Sequence, residues 1–230
     1  MKKLLIAVVV ATISAGALAA DLKPYIEGQL GYANLNDVDT KTLNVNGTNF
    51  TAAAKLNMKY DSDTTYGGEV GFSDFLMPNF RIGASYSRSE FDFKNANLSA
   101  SGTATINGVN YAGAGTANIT RADLGNLADQ VDAKLNLYML NAYYDFKNSS
   151  QFTPFIGAGI GLADIKNTKD NEFAYSASAG GKYNINNNLY LGLKGSYVRV
   201  NSPTVRVDSV DIALKDVDLW KAEALLGYQF

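Results

Sequence analysis

The chain ends with the sequence WKAEALLGYQF, residues 220–230, in which apolar side chains alternate with mostly polar or small ones. Because successive side chains of a β-strand point to opposite faces, every second residue lies on the same face. One face is wholly apolar and ends in an aromatic ring; it consists of Trp220, Ala222, Ala224, Leu226, Tyr228 and Phe230. A strand of a lipid-embedded barrel needs this pattern, with apolar side chains toward lipid and the others toward the lumen. The alternative is an ordinary amphipathic edge strand.

The first twenty residues have the features of a secretory signal peptide. Lys2 and Lys3 precede an apolar region, and Ala17-Leu18-Ala19 provides a small-x-small cleavage site. We therefore predict cleavage near 19/20, with residues 1–20 as the signal and residues 21–230 as a barrel domain. No later stretch approaches the roughly 20 apolar residues of a membrane-spanning helix. An exported membrane protein without such a helix is left with a closed barrel, which satisfies every backbone group in lipid.

The composition excludes several classes of protein. The chain has 230 residues, no Cys, no His, 21 Gly, 14 Tyr, 11 Phe and a formal net charge of −2. After signal cleavage, about 210 residues suit one barrel with long loops rather than two domains. Without Cys, an exported protein is stabilised by strand pairing and not by disulfides. The near-neutral charge provides no basic surface for nucleic acid, so we expect no nucleic-acid partner.

Alternation along the rest of the chain predicts eight strands, near the roughly 9–11 residues that cross the hydrocarbon at a tilt. The predicted strands are residues 23–33, 66–72, 80–87, 135–146, 153–162, 173–183, 189–198 and 220–230. Short turns are predicted at residues 73–79, 147–151 and 184–188, and long polar segments at 34–65, 94–132, 163–172 and 199–218. This asymmetry is typical of short periplasmic turns and longer extracellular loops. We therefore predict an all-β fold, an eight-stranded antiparallel transmembrane β-barrel with long extracellular loops.

A soluble barrel of the lipocalin type would also alternate, but with its apolar face inward. Here the polar face is largely Gly and Ser with isolated charges, which suits a narrow interior better than a water-facing exterior. The apolar face carries aromatic residues near both ends of the strands, as expected at two lipid–water interfaces. One band is Tyr32, Tyr66, Tyr86, Tyr138, Tyr197 and Trp220; the other is Phe72, Phe80, Phe146, Tyr183, Tyr228 and Phe230.

Charged residues on the polar faces should meet in the lumen. Because alternate residues of a strand share a face, the residues between the apolar positions point inward; the charged ones among them are Glu27, Glu69, Arg81, Lys182, Lys194 and Glu223. Buried charges of opposite sign should pair, since a lone charge loses its hydration without compensation. Glu69 and Arg81 lie on adjacent strands joined by a short turn, so we expect them within reach of one another. The prediction is a structural cluster; the alternative is a set of charges that lines an ion path.

Three segments resemble a known group of proteins. They are NAYYDF (residues 141–146), TPFIGAGIG (residues 153–161) and the carboxyl-terminal strand. They resemble the small opacity-type surface antigens and the OmpA-type membrane domain of Gram-negative bacteria. The resemblance implies a protein of the cell outer membrane, in contact with lipid and lipopolysaccharide. It also implies that Leu226, Tyr228 and Phe230 form the carboxyl-terminal signature that the barrel assembly machinery reads. No peptidoglycan-binding domain follows Phe230, so we expect no cell-wall anchoring.

Two patterns resemble ligand sites, but a structural interpretation is favoured for each. Gly157-x-Gly159-x-Gly161 resembles a phosphate-binding pattern, yet it lies inside a predicted strand and opens no helix. Four acidic residues fall in the first long segment: Asp37, Asp39, Asp61 and Asp63. They lack the twelve-residue loop with a closing Glu that binds calcium, which favours a solvated acidic loop.

Two dipeptides in the long segments predict hairpin tips beyond the membrane. Asn46-Gly47 and Asn107-Gly108 are both flanked by β-forming residues, and this pair favours a tight hairpin turn. Residues 121–132 are predicted to form a short helix.

Three classes of function fit a small exported barrel. The first is a surface-exposed adhesin or surface antigen whose loops meet ligands on host or environmental surfaces. The second is a narrow ion or small-solute channel, but eight strands leave an interior just wide enough for side chains. The third is an enzyme, which in this membrane generally relies on a His base, and the chain has no His. We predict the surface protein, with no catalytic residues, cofactor or metal; a purely structural role is less favoured.

Overall fold

Eight strands close into an antiparallel barrel, which confirms the predicted fold. The computed structural model describes residues 22–125, 131–166, 168, 171–207 and 210–230, so the predicted signal peptide lies outside the described residues. The barrel strands are β1 Lys23–Leu35, β5 Asp63–Ser73, β6 Phe80–Phe91, β9 Ala133–Asp145, β10 Phe152–Ile165, β11 Glu172–Asn184, β12 Leu189–Val200 and β15 Val217–Gln229. Around the wall their order is β1-β15-β12-β11-β10-β9-β6-β5.

The first and last barrel strands close the wall. Strand β15 pairs with β12 on one side and with β1 on the other, in a register that places Gly28 opposite Leu226. The Phe230 N–H donates to the Pro24 carbonyl at 2.9 Å, so the pairing extends to the last residue of the chain. Within the described residues, no helix is long and apolar enough to span a membrane.

The predicted strands lie in the right places but are too short at the end with the long connections. Strand β5 begins at Asp63 rather than at residue 66, and β6 continues to Phe91. The prediction followed the apolar alternation of the lipid face, which stops before these strands end because outward residues such as Thr64 and Arg88 are polar. Backbone pairing continues beyond this level because it needs only a neighbouring strand.

The outward face is apolar and the inward face is buried, as the parity of each strand predicts. Leu193 on β12 is 71% exposed on the outside of the wall, whereas Leu219 on β15 is 0% exposed inside it. The predicted aromatic residues Tyr32 and Trp220 lie outward near one rim, and Tyr183 and Phe230 lie outward near the other. Such a surface suits a lipid environment rather than water.

The lumen holds more large rings than the expectation of a largely Gly and Ser face suggests. The buried inward rings are Tyr25, Tyr143, Phe155 and Tyr190. Tyr190 lies directly opposite Gly227, where an added Cβ would come 2.0 Å from the Tyr190 Cζ. Tyr143 lies opposite Gly157, where an added Cβ would come 2.3 Å from the ring. The expectation was incomplete, because a glycine on one strand makes room for a ring on the next.

A second, five-stranded sheet lies at the end of the long connections. We call it the accessory sheet; its strands are β2 Val38–Asp39, β3 Leu43–Gly47, β4 Phe50–Tyr60, β7 Phe93–Ile106 and β8 Val109–Thr120. Two of the segments predicted as polar loops are therefore mostly β-sheet. The remaining elements are the helix α1 Arg121–Leu124 and a hairpin of β13 Thr204–Val207 with β14 Val210–Ala213.

One of the two predicted hairpin tips is confirmed and the other is displaced. Asn107 and Gly108 have φ of 51° and 78° and form the turn between β7 and β8. Positive φ at both central residues is the reason that Asn-Gly favours this turn. Asn46 and Gly47 are instead paired within β3, and the turn follows them at residues 48–49. The predicted helix at 121–132 begins at Arg121 with Thr120 as its cap, and residues 126–130 lie outside the described chain.

Candidate functional site

The inward charges lie in two groups inside the barrel. The first group surrounds Arg81, whose side chain is 2% exposed. Its Nη1 lies 3.6 Å from Oε2 of Glu27 and 3.9 Å from Oε1 of Glu69, and its Nη2 lies 3.6 Å from Oδ1 of Asp145. The Lys182 Nζ lies 2.6 Å from the other oxygen of Asp145. The structure thus places Glu69 and Arg81 within reach of each other, inside a larger network.

Neutral donors orient the two glutamates of this group. Glu69 accepts hydrogen bonds from the hydroxyls of Tyr25 at 2.5 Å and Tyr143 at 2.8 Å, and from the Asn141 amide at 2.7 Å. Glu27 accepts hydrogen bonds from the Tyr190 hydroxyl and the Gln29 amide, both at 2.8 Å. Hydrogen bonds to a charged acceptor are stronger than neutral ones, so these donors hold the carboxylates in place.

Aromatic rings surround the Arg81 guanidinium. Its central carbon lies 4.2 Å from the centroid of the Tyr143 ring, 5.1 Å from that of Tyr25 and 5.3 Å from that of Phe155. A cation over the face of a ring is attracted by the ring quadrupole, and this attraction is stronger away from water. The inward rings therefore contribute to holding the buried cation.

The second group consists of Lys194, Lys221 and Glu223. The Glu223 carboxylate lies 2.7 Å from the Lys221 Nζ and 3.5 Å from the Lys194 Nζ, and Lys221 also donates to Ser87 at 3.0 Å. The first group has one excess negative formal charge and the second has one excess positive charge. Charges inside the barrel are therefore balanced between the two groups.

Two charged members of these groups were missing from the predicted cluster. Lys221 lies on the inward face of the terminal strand, and Asp145 lies at the end of β9. Parity alone would have found both, since Lys221 is two residues from Glu223 and Asp145 is two from the inward Tyr143. With Asp145 included, Arg81 has three carboxylates around it: Glu27, Glu69 and Asp145.

An apolar cluster fills the barrel at the end of the long connections. Its buried members include Leu137, Met139, Val198 and Leu219 on barrel strands, and Leu214 from the connection before β15. We call this set the apolar plug. The buried charge groups lie on the same strands closer to the short turns, so the lumen changes from charged to apolar along its axis.

The two faces of the accessory sheet differ in chemistry. Residues that are direct cross-strand partners share a face, so the pairing assigns each side chain to one face. One face is largely apolar, with Val45, Ala52 and Gly102 in one row and Phe50, Ala104 and Tyr111 in another. The opposite face is polar: Thr51 and Thr103 share a hydrogen bond at 2.8 Å, and Asn57 pairs with Asn97.

Asp39 ties the base of the accessory sheet to the opposite side of the barrel mouth. Its carboxylate accepts a hydrogen bond from the Asn57 amide at 2.9 Å and lies 3.1 Å from the ammonium groups of Lys55 and Lys215. The Lys215 N–H also donates to the Asp39 carbonyl at 2.8 Å. The hydrogen bond from Asn57 is the main cause that lowers the pKa of Asp39 from 3.8 to about 2, and the two lysines add to it.

The four acidic residues considered for calcium are instead partnered by protein groups. Asp37, Asp39 and Asp61 form ion pairs with lysines, and Asp63 accepts a hydrogen bond from the Thr64 N–H. In the described part of the chain, no group of acidic residues has the arrangement of a metal site. Gly157, Gly159 and Gly161 lie within β10, where they face inward.

The residues of the expected carboxyl-terminal signature lie on the lipid face of β15. Leu226, Tyr228 and Phe230 are all exposed on the outside of the wall, and the rings of Tyr228 and Phe230 contact edge to face at 5.1 Å.

The chain is similar to outer-membrane proteins in sequence. The model of the family described as "Outer membrane protein beta-barrel domain" matches residues 5–230. The outer membrane protein PagN of Salmonella typhimurium is 25% identical over 175 residues, which cover 69% of this chain and 73% of PagN. Two Rickettsia bellii proteins with "Putative adhesin" in their names are 27% identical over 109 residues, which cover 47% of this chain and 40% of theirs.

The chain is also similar to a solved barrel in structure. The crystal structure of Neisserial surface protein A has a TM-score of 0.52 and 14% sequence identity, with 90% of this chain and 97% of that one covered. At this identity the likeness shows the fold alone. The closed eight-stranded barrel, its lipid-facing aromatic bands and the family match over residues 5–230 show that the chain belongs to the outer membrane protein β-barrel domain family and lies in the outer membrane.

Proposed function

We propose that this protein is a surface adhesin that acts through its accessory sheet. The long connections of outer-membrane barrels generally face the cell exterior, which supports an accessory sheet that lies outside the cell. The observation that carries the proposal is strand β8, all twelve residues of which are exposed to solvent. An ordered, exposed sheet with one largely apolar face offers a surface for contact with another surface. The two Rickettsia bellii relatives carry adhesin in their names, which supports the same proposal.

The lumen gives the channel alternative no support. An ion path would have to pass the apolar plug, in which Leu137 and Leu219 are almost wholly buried. It would also have to pass Arg81, which is surrounded by three carboxylates and three rings. We propose that the two charge groups serve the stability of the barrel. Binding rather than catalysis is the activity that we assign to the protein.

Replacement of the accessory sheet tests the proposal. In one variant, short turns replace residues 36–62 and 92–131, and in a matched control a short turn replaces only residues 166–171. Binding of intact cells to cultured epithelial cells and to matrix-coated plates is measured. We expect the first variant to lose binding and the control to keep it. Both should migrate differently on a gel before and after boiling, since closed barrels resist detergent. Equal binding by the two variants would overturn the proposal.

We also propose that Leu226, Tyr228 and Phe230 are recognised by the barrel assembly machinery. Their exposure on the lipid face of the strand that closes the barrel supports this role. Deletion of Phe230 should lower the amount of protein in the outer membrane, while deletion of the outward Phe152 side chain, as Phe152→Ala, should not. Equal amounts of both variants in isolated outer membranes would contradict the proposal.

A further inference from the structure

Strand β8 has a free edge. It pairs with β7 on one side, from Ile106 opposite Val109 to Asn95 opposite Thr120. None of the described strands pairs with its other side. The accessory sheet therefore ends in a row of backbone groups that face solvent.

The direction of these backbone groups follows from a contact on β7. The Thr105 N–H donates to the carbonyl of Asn49, so the backbone of Thr105 faces β4 and not β8. In an antiparallel pair the hydrogen-bonded and non-bonded positions alternate, and Thr105 lies opposite Asn110. Asn110 and every second residue after it consequently turn N–H and C=O to the free edge. These positions are Asn110, Ala112, Ala114, Thr116 and Asn118.

The free edge lacks the usual protection against strand addition. Native edge strands are blunted by charged side chains, proline, bulges or a covering segment. The hairpin of β7 and β8 contains no charged residue and no proline between Asn95 and Thr120. Its pairing is regular over the whole length of β8. An exposed, regular and uncharged edge of this kind is a template for pairing with another strand.

We propose that the occupant of this edge is β8 of a second copy of the protein, paired antiparallel about Gly115. Hydrogen bonds between the two copies require that residues whose backbone groups face the free edge lie opposite one another. These residues have even numbers, so the numbers of two opposed residues add up to an even sum. Centring the pair on Gly115 places Ala114 opposite Thr116 and Ala112 opposite Asn118. The apolar faces of the two sheets then lie on the same side, with Tyr111 of each copy opposite Ile119 of the other. Pairs of an aromatic and a β-branched residue stabilise adjacent strands.

The strand itself favours a second copy over an unrelated partner. The centre of β8 is built of small residues from Ala112 to Ala117, so two copies approach without large side chains between them. The absence of charge removes the repulsion that two identical charged edges would have. Every pair in the proposed register is made twice, as a two-fold axis requires, except for the pair of the two Gly115 residues, which lies on the axis itself.

The geometry places the two copies in opposing membranes. Strand β8 runs from the tip at Gly108 back to the barrel through α1 and β9. In an antiparallel pair the second copy runs in the opposite direction, so its barrel lies beyond the tip of the first. Eleven paired residues separate the two barrel mouths by roughly 35–40 Å. The inferred contact therefore joins two cells, and it deepens the proposed function, on which it rests, by naming one partner as the protein itself.

Charge reversal at the symmetry centre tests the pairing. An added Cβ at Gly115 meets nothing within 4 Å, and the same holds for Gly113. Gly115→Lys would place two like charges directly opposite each other, and so would Gly115→Glu, but a mixture of the two would place opposite charges there. Cells of a non-clumping Gram-negative strain, labelled with two fluorescent proteins, would display the full-length wild type or a variant. Flow cytometry would count the clumps that contain both colours.

We expect wild-type cells to clump with each other and not with cells that lack the protein. Each Gly115 variant alone should fall to the level of cells without the protein, and mixing Gly115→Lys cells with Gly115→Glu cells should restore clumping. The matched control is Gly113→Lys with Gly113→Glu: Gly113 faces Ala117 of the other copy and no like charge, so each of these variants alone should keep clumping and mixing them should change nothing. A change in gel migration on boiling would confirm that the barrels are folded. Surface labelling would confirm that all variants are displayed in equal amounts.

Three results would overturn the inference: no clumping of wild-type cells, clumping with cells that lack the protein, or no restoration by the Gly115 mixture. Binding to epithelial cells, measured on the same cultures, keeps the proposed function separate. Wild-type cells that bind epithelial cells without clumping would leave the proposed function standing and remove this inference. Unchanged epithelial binding and clumping after replacement of the accessory sheet would remove both.

Discussion

Arg81 shows how a buried charge is accommodated in a narrow barrel. The guanidinium is surrounded by Glu27, Glu69 and Asp145 and by aromatic rings, and its Nε has no hydrogen-bond partner among the described groups. Removal of one partner from a buried ion pair costs about 3–5 kcal/mol, because the other charge remains without compensation. The stability of the barrel should therefore depend on these residues jointly rather than singly.

We expect Glu69→Gln to lower the free energy of unfolding by about 1–3 kcal/mol, because a buried carboxylate with three donors and a nearby cation is lost. Arg81→Met should cost about 3–5 kcal/mol. The double variant should cost less than the sum by about 0.5–3 kcal/mol, since the two side chains interact. Urea unfolding of the barrel in lipid vesicles measures all three values. The control Glu90→Gln removes an exposed pair with Arg88 and should change stability little. Strictly additive losses would contradict the pairing.

At the scale of elements, a single cluster of contacts connects strand β2 to the far side of the barrel mouth. Thr40 forms an isolated antiparallel β-bridge with Leu214, and the Lys41 N–H donates a hydrogen bond to the Ala213 carbonyl. The Asp39 carboxylate lies between Asn57, Lys55 and Lys215 in the same region. The orientation of the accessory sheet over the barrel should therefore depend on the ionised state of Asp39.

The pKa of Asp39 in the folded protein is about 2, below its value of 3.8 without these partners. A lowered pKa stabilises the fold above pH 3.8, and this contribution is lost as the pH falls toward 2. We expect the Thr40 N–H, which donates to the Leu56 carbonyl, to lose protection from hydrogen exchange over this window. Asp39→Asn should show the loss already at neutral pH, whereas the exposed Asp61→Asn should not. Full protection of Thr40 in Asp39→Asn would show that other contacts hold the sheet.

At the scale of the whole molecule, the lumen is closed by three successive features. The Arg81 group, the Glu223 group and the apolar plug follow one another along the barrel strands. An eight-stranded barrel has an interior that side chains can fill, and here they fill it. The molecule is therefore a filled, closed barrel with an ordered sheet at the end of its long connections.

We expect no steady single-channel steps when the folded protein is inserted into planar bilayers. The reason is that an ion would have to enter an apolar region without compensation for its lost hydration. Arg81→Ala should not open a path, because the apolar plug remains in place. Migration on a gel before and after boiling would check that both proteins are folded. Steady steps whose size or ion selectivity changes with Arg81→Ala would favour a channel instead.

The barrel and the side of the wall on which each residue lies could be predicted from the sequence. Alternation along β15 assigned Glu223 to the lumen and Tyr228 to lipid, because a strand has only two faces and a lipid-facing one must be apolar. The Asn107-Gly108 turn was predictable for a local reason, since both residues tolerate positive φ.

The contacts between strands that are distant in sequence were decided by the tertiary structure alone. Parity cannot show that Glu27 and Asp145 meet at Arg81, because that meeting depends on barrel closure and on the register of each strand pair. The accessory sheet was mistaken for loops because its strands carry small and polar residues, and their order comes from pairing between distant segments such as β4 and β7. Its free β8 edge exists only once those strands have paired, so local sequence determined which way each side chain points, and three-dimensional pairing determined what it touches.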